Sequence, residues 1–274
     1  MTEPGDGMWA AGDAYERYMG RWSRRVAREF TGRLRGGDGL PCADGLRWLD
    51  VGCGTGALTG QVVDLRRPRS VLGVDRSAAF VATARDLLPG PGPASFAVAD
   101  GRALPVREGS LDVVVSGLAL NFLPSPAAGV AEAVRVVRPG GVVAAYVWDY
   151  AGDAGFLRRF WDAALRVDPA AADLDEARRF PVCRPPALRA LWEGAGLARV
   201  AVAPIEVPAV FAGFADLWEP FLAGQGPAPG YVAALDPSVR ERLREALLAD
   251  LPVRPDGSIA LAVRAWSVQG VKPG

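Results

Sequence analysis

Residues 46–60 read LRWLDVGCGTGALTG, and the fold of the whole chain is decided there. A short apolar run, Leu46 to Val51, meets three glycines in alternation, Gly52, Gly54 and Gly56, and a helical pattern follows over 57–66. Glycine lacks a Cβ, so the backbone can turn sharply at such a point and approach a ligand closely. Working outward, SVLGVD (70–75) is a second strand, and Ser77 caps a helix carrying Phe80, Ala84 and Leu88 on one face. ASFAVAD (94–100) is a third strand and LDVVVSGL (111–118) a fourth. Ser125 and Pro126 read as N-cap and first residue of a helix through Val137. Pro139-Gly140-Gly141 ends that helix and turns into VVAAYVWDY (142–150), the fifth strand.

Near-continuous apolar strands separated by helices indicate a mainly parallel sheet covered on both faces, a doubly wound α/β fold. Before it, Tyr15, Met19, Trp22, Val26 and Phe30 recur at helical spacing, with Gly20 marking a bend, and 32–45 reads as a linker. After it, 153–168 reads as an amphipathic helix through Leu157, Phe160, Trp161 and Leu165. A helix over 184–196, a strand over 197–207, a helix over 236–248 and a closing strand over 258–268 complete the pattern. An aromatic stretch broken by Pro and Gly runs from Phe211 to Tyr231, and no internal repeat or second core is read.

Composition removes several chemistries. Lys plus Arg and Asp plus Glu number 31 each, so no basic stripe suggests a nucleic-acid surface. There is no histidine, and the only lysine is Lys272. A His-based triad, a His–Cys zinc site and an internal Schiff-base lysine are therefore ruled out. Cys42, Cys53 and Cys183 are scattered, which implies neither a disulfide framework nor a metal centre. No stretch of 18 continuous apolar residues and no secretory leader pattern is present, so the expectation is a soluble cytoplasmic protein without membrane attachment.

In an open α/β sheet, ligands bind beyond the carboxyl ends of the strands where strand order reverses. Three acids fall at such ends. Asp75 closes the second strand, where a carboxylate can accept both ribose hydroxyls, and Asp100 closes the third, placed to accept from an adenine amino group. Asp50 lies inside the apolar first strand and needs partners, an ammonium or loop amides, to offset its desolvation. The loop Gly52-Cys53-Gly54-Thr55-Gly56-Ala57 also satisfies the relaxed dinucleotide fingerprint, so a NAD-dependent oxidoreductase is one alternative. That chemistry needs a proton donor, commonly Tyr with Lys, or His, and the missing His and tail-only Lys count against it.

Leu49-Asp50-Val51-Gly52-Cys53-Gly54-Thr55-Gly56, Val74-Asp75, Ala99-Asp100-Gly101, Leu111-Asp112-Val113-Val114 and Arg138-Pro139-Gly140-Gly141 resemble the ordered motifs of class I S-adenosylmethionine (SAM)-dependent methyltransferases of the methyltransferase-11 type. The resemblance covers 46–148 and extends in outline to the terminal strands. It implies a Rossmann-like, seven-stranded sheet with an antiparallel last strand. One domain, 1–274, is expected: an N-terminal helical lid and linker at 13–45, a SAM-binding core at 46–150, a cap insertion at 151–183, a core helix and strand at 184–210, a second cap at 211–253 and the last strand at 254–274. Gly52 and Gly54 would line the methionine portion with Cys53 between them, Asp75 and Arg76 would serve the ribose end, and Asp100 with the Gly101 amide the adenine. Ser116 and Gly117 would offer backbone near the ammonium, with Asp50 close by. Tyr15 or Arg21, on a helix similar to one that closes over the cofactor, could reach its carboxylate.

The implied activity is transfer of a methyl group from SAM to a small organic acceptor such as a secondary metabolite, releasing S-adenosylhomocysteine (SAH), in a monomer or homodimer. Related scaffolds bind SAM yet catalyse cyclisation or elimination, or act as binding partners, and these stand as the other alternative. Catalytic candidates are Asp149 and Tyr150, at the end of the fifth strand beside Trp148, and Asn121 after the fourth, which could hydrogen-bond an acceptor or else satisfy loop backbone. Trp148, Trp161, Phe211, Trp218 and Phe221 read as core or as the wall of a lipophilic pocket.

Overall fold

Five strands run parallel: β1 (Arg47–Val51), β2 (Ser70–Asp75), β3 (Ala94–Val98), β4 (Leu111–Gly117) and β5 (Val137–Trp148). With β6 (Ala198–Phe211) and β7 (Ile259–Val271) they form one sheet in the order β3-β2-β1-β4-β5-β7-β6, and β7 is antiparallel to β5. This is the seven-stranded, doubly wound architecture that the alternating strands and helices imply. The computed structural model describes residues 19–39, 42–152, 155–223 and 226–274; Tyr15 lies outside them.

Two compact units divide the chain. The sheet unit comprises Ser23–Trp148, Val182–Ile205 and Ala265–Gly274. Its strands are apolar because both faces are covered: Val113, Val114 and Val115 of β4 and Val142 to Val147 of β5 are all buried. Helices α1 (Arg21–Arg33), α2 (Ala57–Arg66), α3 (Ala78–Leu87) and α4 (Pro126–Val136) follow the sequence pattern, with α7 (Pro185–Gly194) later in the chain. Met19, Trp22, Val26 and Phe30 are buried as their spacing requires, and the Phe30 ring lies 4.7 Å from that of Tyr146. Ser77 and Ser125 cap α3 and α4 as expected, their side chains accepting from the Phe80 and Ala128 amides.

Two details differ from the sequence reading. The buried face of α3 is Val81 and Ala84, with Phe80 and Leu88 only half-buried. Strand β5 begins at Val137 and runs through Pro139-Gly140-Gly141. Gly140 (φ 75°) donates from its amide to Lys272 O, and Lys272 returns an amide to Gly141 O, so β5 gains backbone partners earlier than the Pro-Gly signal suggests.

The second unit takes Asp149–Pro181 and Glu206–Arg264 together with residues through Trp22. It contains α5 (Phe156–Val167), α6 (Glu176–Arg179), α8 (Phe214–Trp218), α9 (Pro227–Ala234) and α10 (Pro237–Ala249). Within this unit the segments 151–183 and 211–253 pack their aromatic rings together. Phe160 and Phe221 stack at 4.4 Å, Phe156 meets Phe211 and Phe221 edge-on, and Trp161 tilts against Tyr231. No described helix is long and apolar enough to cross a membrane.

Candidate functional site: the carboxyl ends of β1, β2 and β4

The chain passes from β1 through β2 to β3 and returns to place β4 on the other side of β1, so strand order reverses between β1 and β4. The loops that leave these two strands build the candidate site. Gly52 (φ 74°), Gly54 (φ 53°) and Gly56 (φ 88°) all adopt left-handed backbone, which an L side chain rarely tolerates. The Gly52 and Cys53 amides both donate to Val74 O at 2.8 and 3.0 Å, tying the loop to the end of β2. A Cβ on Gly52 would collide with the Ala119 methyl, whereas around Gly54 the same position meets no atom within 4 Å. The loop is therefore closed at its first glycine and open at its second.

Asp75 organises this opening. Its Oδ2 accepts from the Gly54 amide at 3.0 Å and its Oδ1 from the Ser77 amide at 2.8 Å. The Arg76 amide also reaches it, and the roughly four lone-pair sites of a carboxylate leave room for a ligand hydroxyl. Burial raises the Asp75 pKa, and the Ser77 and Gly54 amides oppose that rise. Asp50 is almost fully buried and pushed up to about 7 by desolvation. Within the chain its partner is the Thr59 hydroxyl on α2, which donates to Oδ2 at 2.7 Å.

Asp100 sits exposed beyond β3, where the Arg102 amide and guanidinium donate to it and hold its pKa down to about 2. Gly101 is buried next to Leu123 and Val51, with no room for a side chain. The Ser116 hydroxyl donates to Val51 O at 2.8 Å, and a Cβ on Gly117 would strike the Tyr146 hydroxyl, so both residues present backbone to the site. The Cys53 side chain lies in an apolar cluster with Val81, Ala84 and Phe96, and burial raises its thiol pKa. Arg76 follows Asp75 directly in the chain and contributes positive potential to it.

After β4, Leu118 takes a left-handed backbone (φ 57°) that is strained for a residue with a side chain. A 3-10 turn, Leu120–Phe122, follows. Within it the Phe122 amide donates to Ala119 O and the Leu123 amide to Leu120 O. Asn121 is thus not needed to satisfy this backbone. It is buried, and both its amide oxygen and nitrogen lack a hydrogen-bond partner.

The other expected site residues belong to the second unit. Arg21 donates to both carboxylate oxygens of Asp216 at 3.0 and 3.2 Å, with its guanidinium over the Trp22 and Phe211 rings. Asp149 Oδ1 accepts from the Gly152 amide at 2.9 Å, and Oδ2 lies 3.5 Å from Arg264, which also pairs with Glu206. Tyr150 is buried with its ring 5.6 Å from that of Phe180. The structure therefore brings Asp50, Gly52, Cys53, Gly54, Asp75, Arg76, Asp100, Gly101, Ser116, Gly117 and Asn121 into one unit, and Arg21, Asp149 and Tyr150 into the other. Sequence reasoning missed Thr59 and Arg102, and read Ser77 as a cap without its amide bond to Asp75. A hydroxyl nine residues after Asp50, in the first helix beyond the loop, was the available signal for Thr59.

A glycine-floored strand–helix loop, an acid at the end of β2 and a switch point beside β4 define a class I methyltransferase fold. The methyltransferase-domain model of the methyltransferase-11 family matches residues 49–145 of the chain. It is 36% identical over 125 residues to 2-methyl-6-phytyl-1,4-hydroquinone methyltransferase of Synechocystis, covering 46% of this chain and 38% of that one. It is 35% identical over 136 residues to malonyl-[acyl-carrier protein] O-methyltransferase of Geobacter sulfurreducens, covering 49% of each. The chain thus spans half or less of these curated relatives. Phosphoethanolamine N-methyltransferase 2 of Haemonchus contortus, solved with phosphomonomethylethanolamine and SAH, shares the fold at TM-score 0.59 and 17% identity, over 96% of this chain and 57% of that one.

Proposed function

We propose that the sheet unit binds SAM on the loops after β1, β2 and β3, and that the protein transfers a methyl group from it to a small organic acceptor. The observation that carries this reading is Asp75 holding the Gly54 amide at 3.0 Å beside open space, with acceptor capacity left over. A nucleotide-like ligand fits that arrangement, since a flat open glycine floor lies beside a carboxylate able to take a ribose hydroxyl. Asp100 and the Gly101 amide would serve the adenine, and Ser116 and Gly117 would offer backbone to the methionine end.

When bound, SAM supplies an activated methyl group on a sulfonium, which an acceptor lone pair displaces in line. The protein's part is to hold donor and acceptor in that geometry, which can lower the barrier by roughly 7–11 kcal/mol. Asp149 and Tyr150 remain proposals for the acceptor side. Because Asp149 is already engaged by Gly152 and Arg264, positioning rather than proton removal is the assigned source of rate. The relatives' acceptors, a hydroquinone and malonyl-[acyl-carrier protein], differ too much to name one for this chain.

The test begins with melting temperature in the presence of SAM, SAH or NAD. SAM and SAH should each raise it and NAD should not, after which phenols, carboxylic acids and amines are screened for acceptor-dependent SAH release. Stabilisation by NAD alone would overturn the proposal.

A further inference from the structure

The buried, unpartnered carboxamide of Asn121 is the site feature that the reading above leaves unused. A buried amide with neither donor nor acceptor satisfied costs free energy, and native proteins rarely retain one without a partner in some state. The turn carrying it is anchored at both ends on the glycine positions of the site. Ala119 packs where a Gly52 side chain would stand, and Leu123 packs against Gly101. The turn that carries Asn121 therefore spans from the loop after β1 to the loop after β3.

A carboxamide presents one acceptor and one donor side by side. The amino-acid end of SAM or SAH presents the complement, an ammonium that donates beside a carboxylate that accepts. The other side chains expected near this end already have partners. Arg21 is paired with Asp216, Ser116 donates to Val51 O, and Asp50 accepts from Thr59. Resting on the proposed SAM site, we infer that Asn121 is a cofactor-positioning residue: Oδ1 accepts from the ammonium and Nδ2 donates to the carboxylate.

The experiment is calorimetric titration of wild type and Asn121→Leu with SAH and with 5′-methylthioadenosine, which lacks the amino-acid end. Leucine keeps the approximate volume and removes both polar atoms. The expected result is at least tenfold weaker SAH binding in the variant, unchanged methylthioadenosine binding, and an apo melting temperature equal to or above wild type. Equal SAH binding in wild type and Asn121→Leu would overturn the inference and turn Asn121 towards the acceptor. Equal loss of both ligands with a lowered apo melting temperature would overturn it in favour of a structural role. Wild-type protein that binds neither SAH nor SAM would sink the proposed function itself, an outcome distinct from the first two.

Discussion

Between β1 and the turn after β4, the sheet unit buries Asn121 with neither polar atom partnered. In the second unit, two buried acids are paired with largely buried donors. There Arg158 donates to both oxygens of Asp175 at 3.1 and 3.0 Å, and the Trp161 indole donates to Glu176 at 2.9 Å. Polar groups that hold a fold find their partners within it. Groups reserved for a ligand carry an energetic cost until the ligand arrives, and Asn121, with both amide atoms unpartnered, differs in this from the paired Asp175 and Glu176.

The contrast can be broken most sharply at the paired end. Asp175→Ala leaves the largely buried Arg158 guanidinium only the exposed Asp162 and removes the cap on the Ala177 amide, which together should cost about 3–5 kcal/mol in denaturant unfolding. A loss below about 1 kcal/mol would mean that the pair does not organise its unit. Gly52→Ala comes next. It adds a left-handed alanine and a clash with Ala119, together on the order of 2–4 kcal/mol, and should weaken SAM binding as well.

A pH series sharpens the comparison, because each unit holds one buried acid with a raised pKa, Asp50 and Glu176, both pushed up to about 7 by burial. The folded state keeps each proton up to about pH 7, while the unfolded chain releases it near pH 4. Within that window the folded state binds more protons, so stability falls as pH rises. Melting temperature should therefore drop between pH 5.5 and 8, and Asp50→Asn and Glu176→Gln should each flatten the slope. An unchanged slope in both variants would show that these acids ionise freely in the fold. The smallest effect belongs to Asn121→Leu, whose apo stability should stay within about 0.5 kcal/mol of wild type or rise, because two unsatisfied groups are removed together.

Much of the sheet unit was legible because its signals are local. A strand, a glycine loop and a helix within 46–66 leave one folding solution, and acids at Asp75 and Asp100 fall where the strands end. Errors arose where a contact distant in sequence decides. Val81, not Phe80, faces inward on α3, because that face packs with Cys53 and Phe96. β5 starts at Val137 because Leu111 of β4 pairs there, and Lys272, at the far end of the chain, bonds Gly140 and Gly141. The second unit was not legible as a unit, since Phe160, Phe211 and Phe221 come from separated segments and no single periodicity joins them. Asp149 illustrates the same limit. Its place at a strand end reads as reactive, yet Gly152 three residues on and Arg264 over a hundred residues away occupy its oxygens.

The central claim is that the loops after β1 and β2 hold SAM through Asp75. Calorimetric titration of wild type and Asp75→Ala with SAM and SAH tests it most directly, with circular dichroism confirming that both proteins are folded. The account predicts micromolar binding to wild type and at least a hundredfold loss in the variant. Folded wild-type protein, free of carried-over ligand, that binds neither compound would contradict it, as would an Asp75→Ala variant that binds as tightly as wild type.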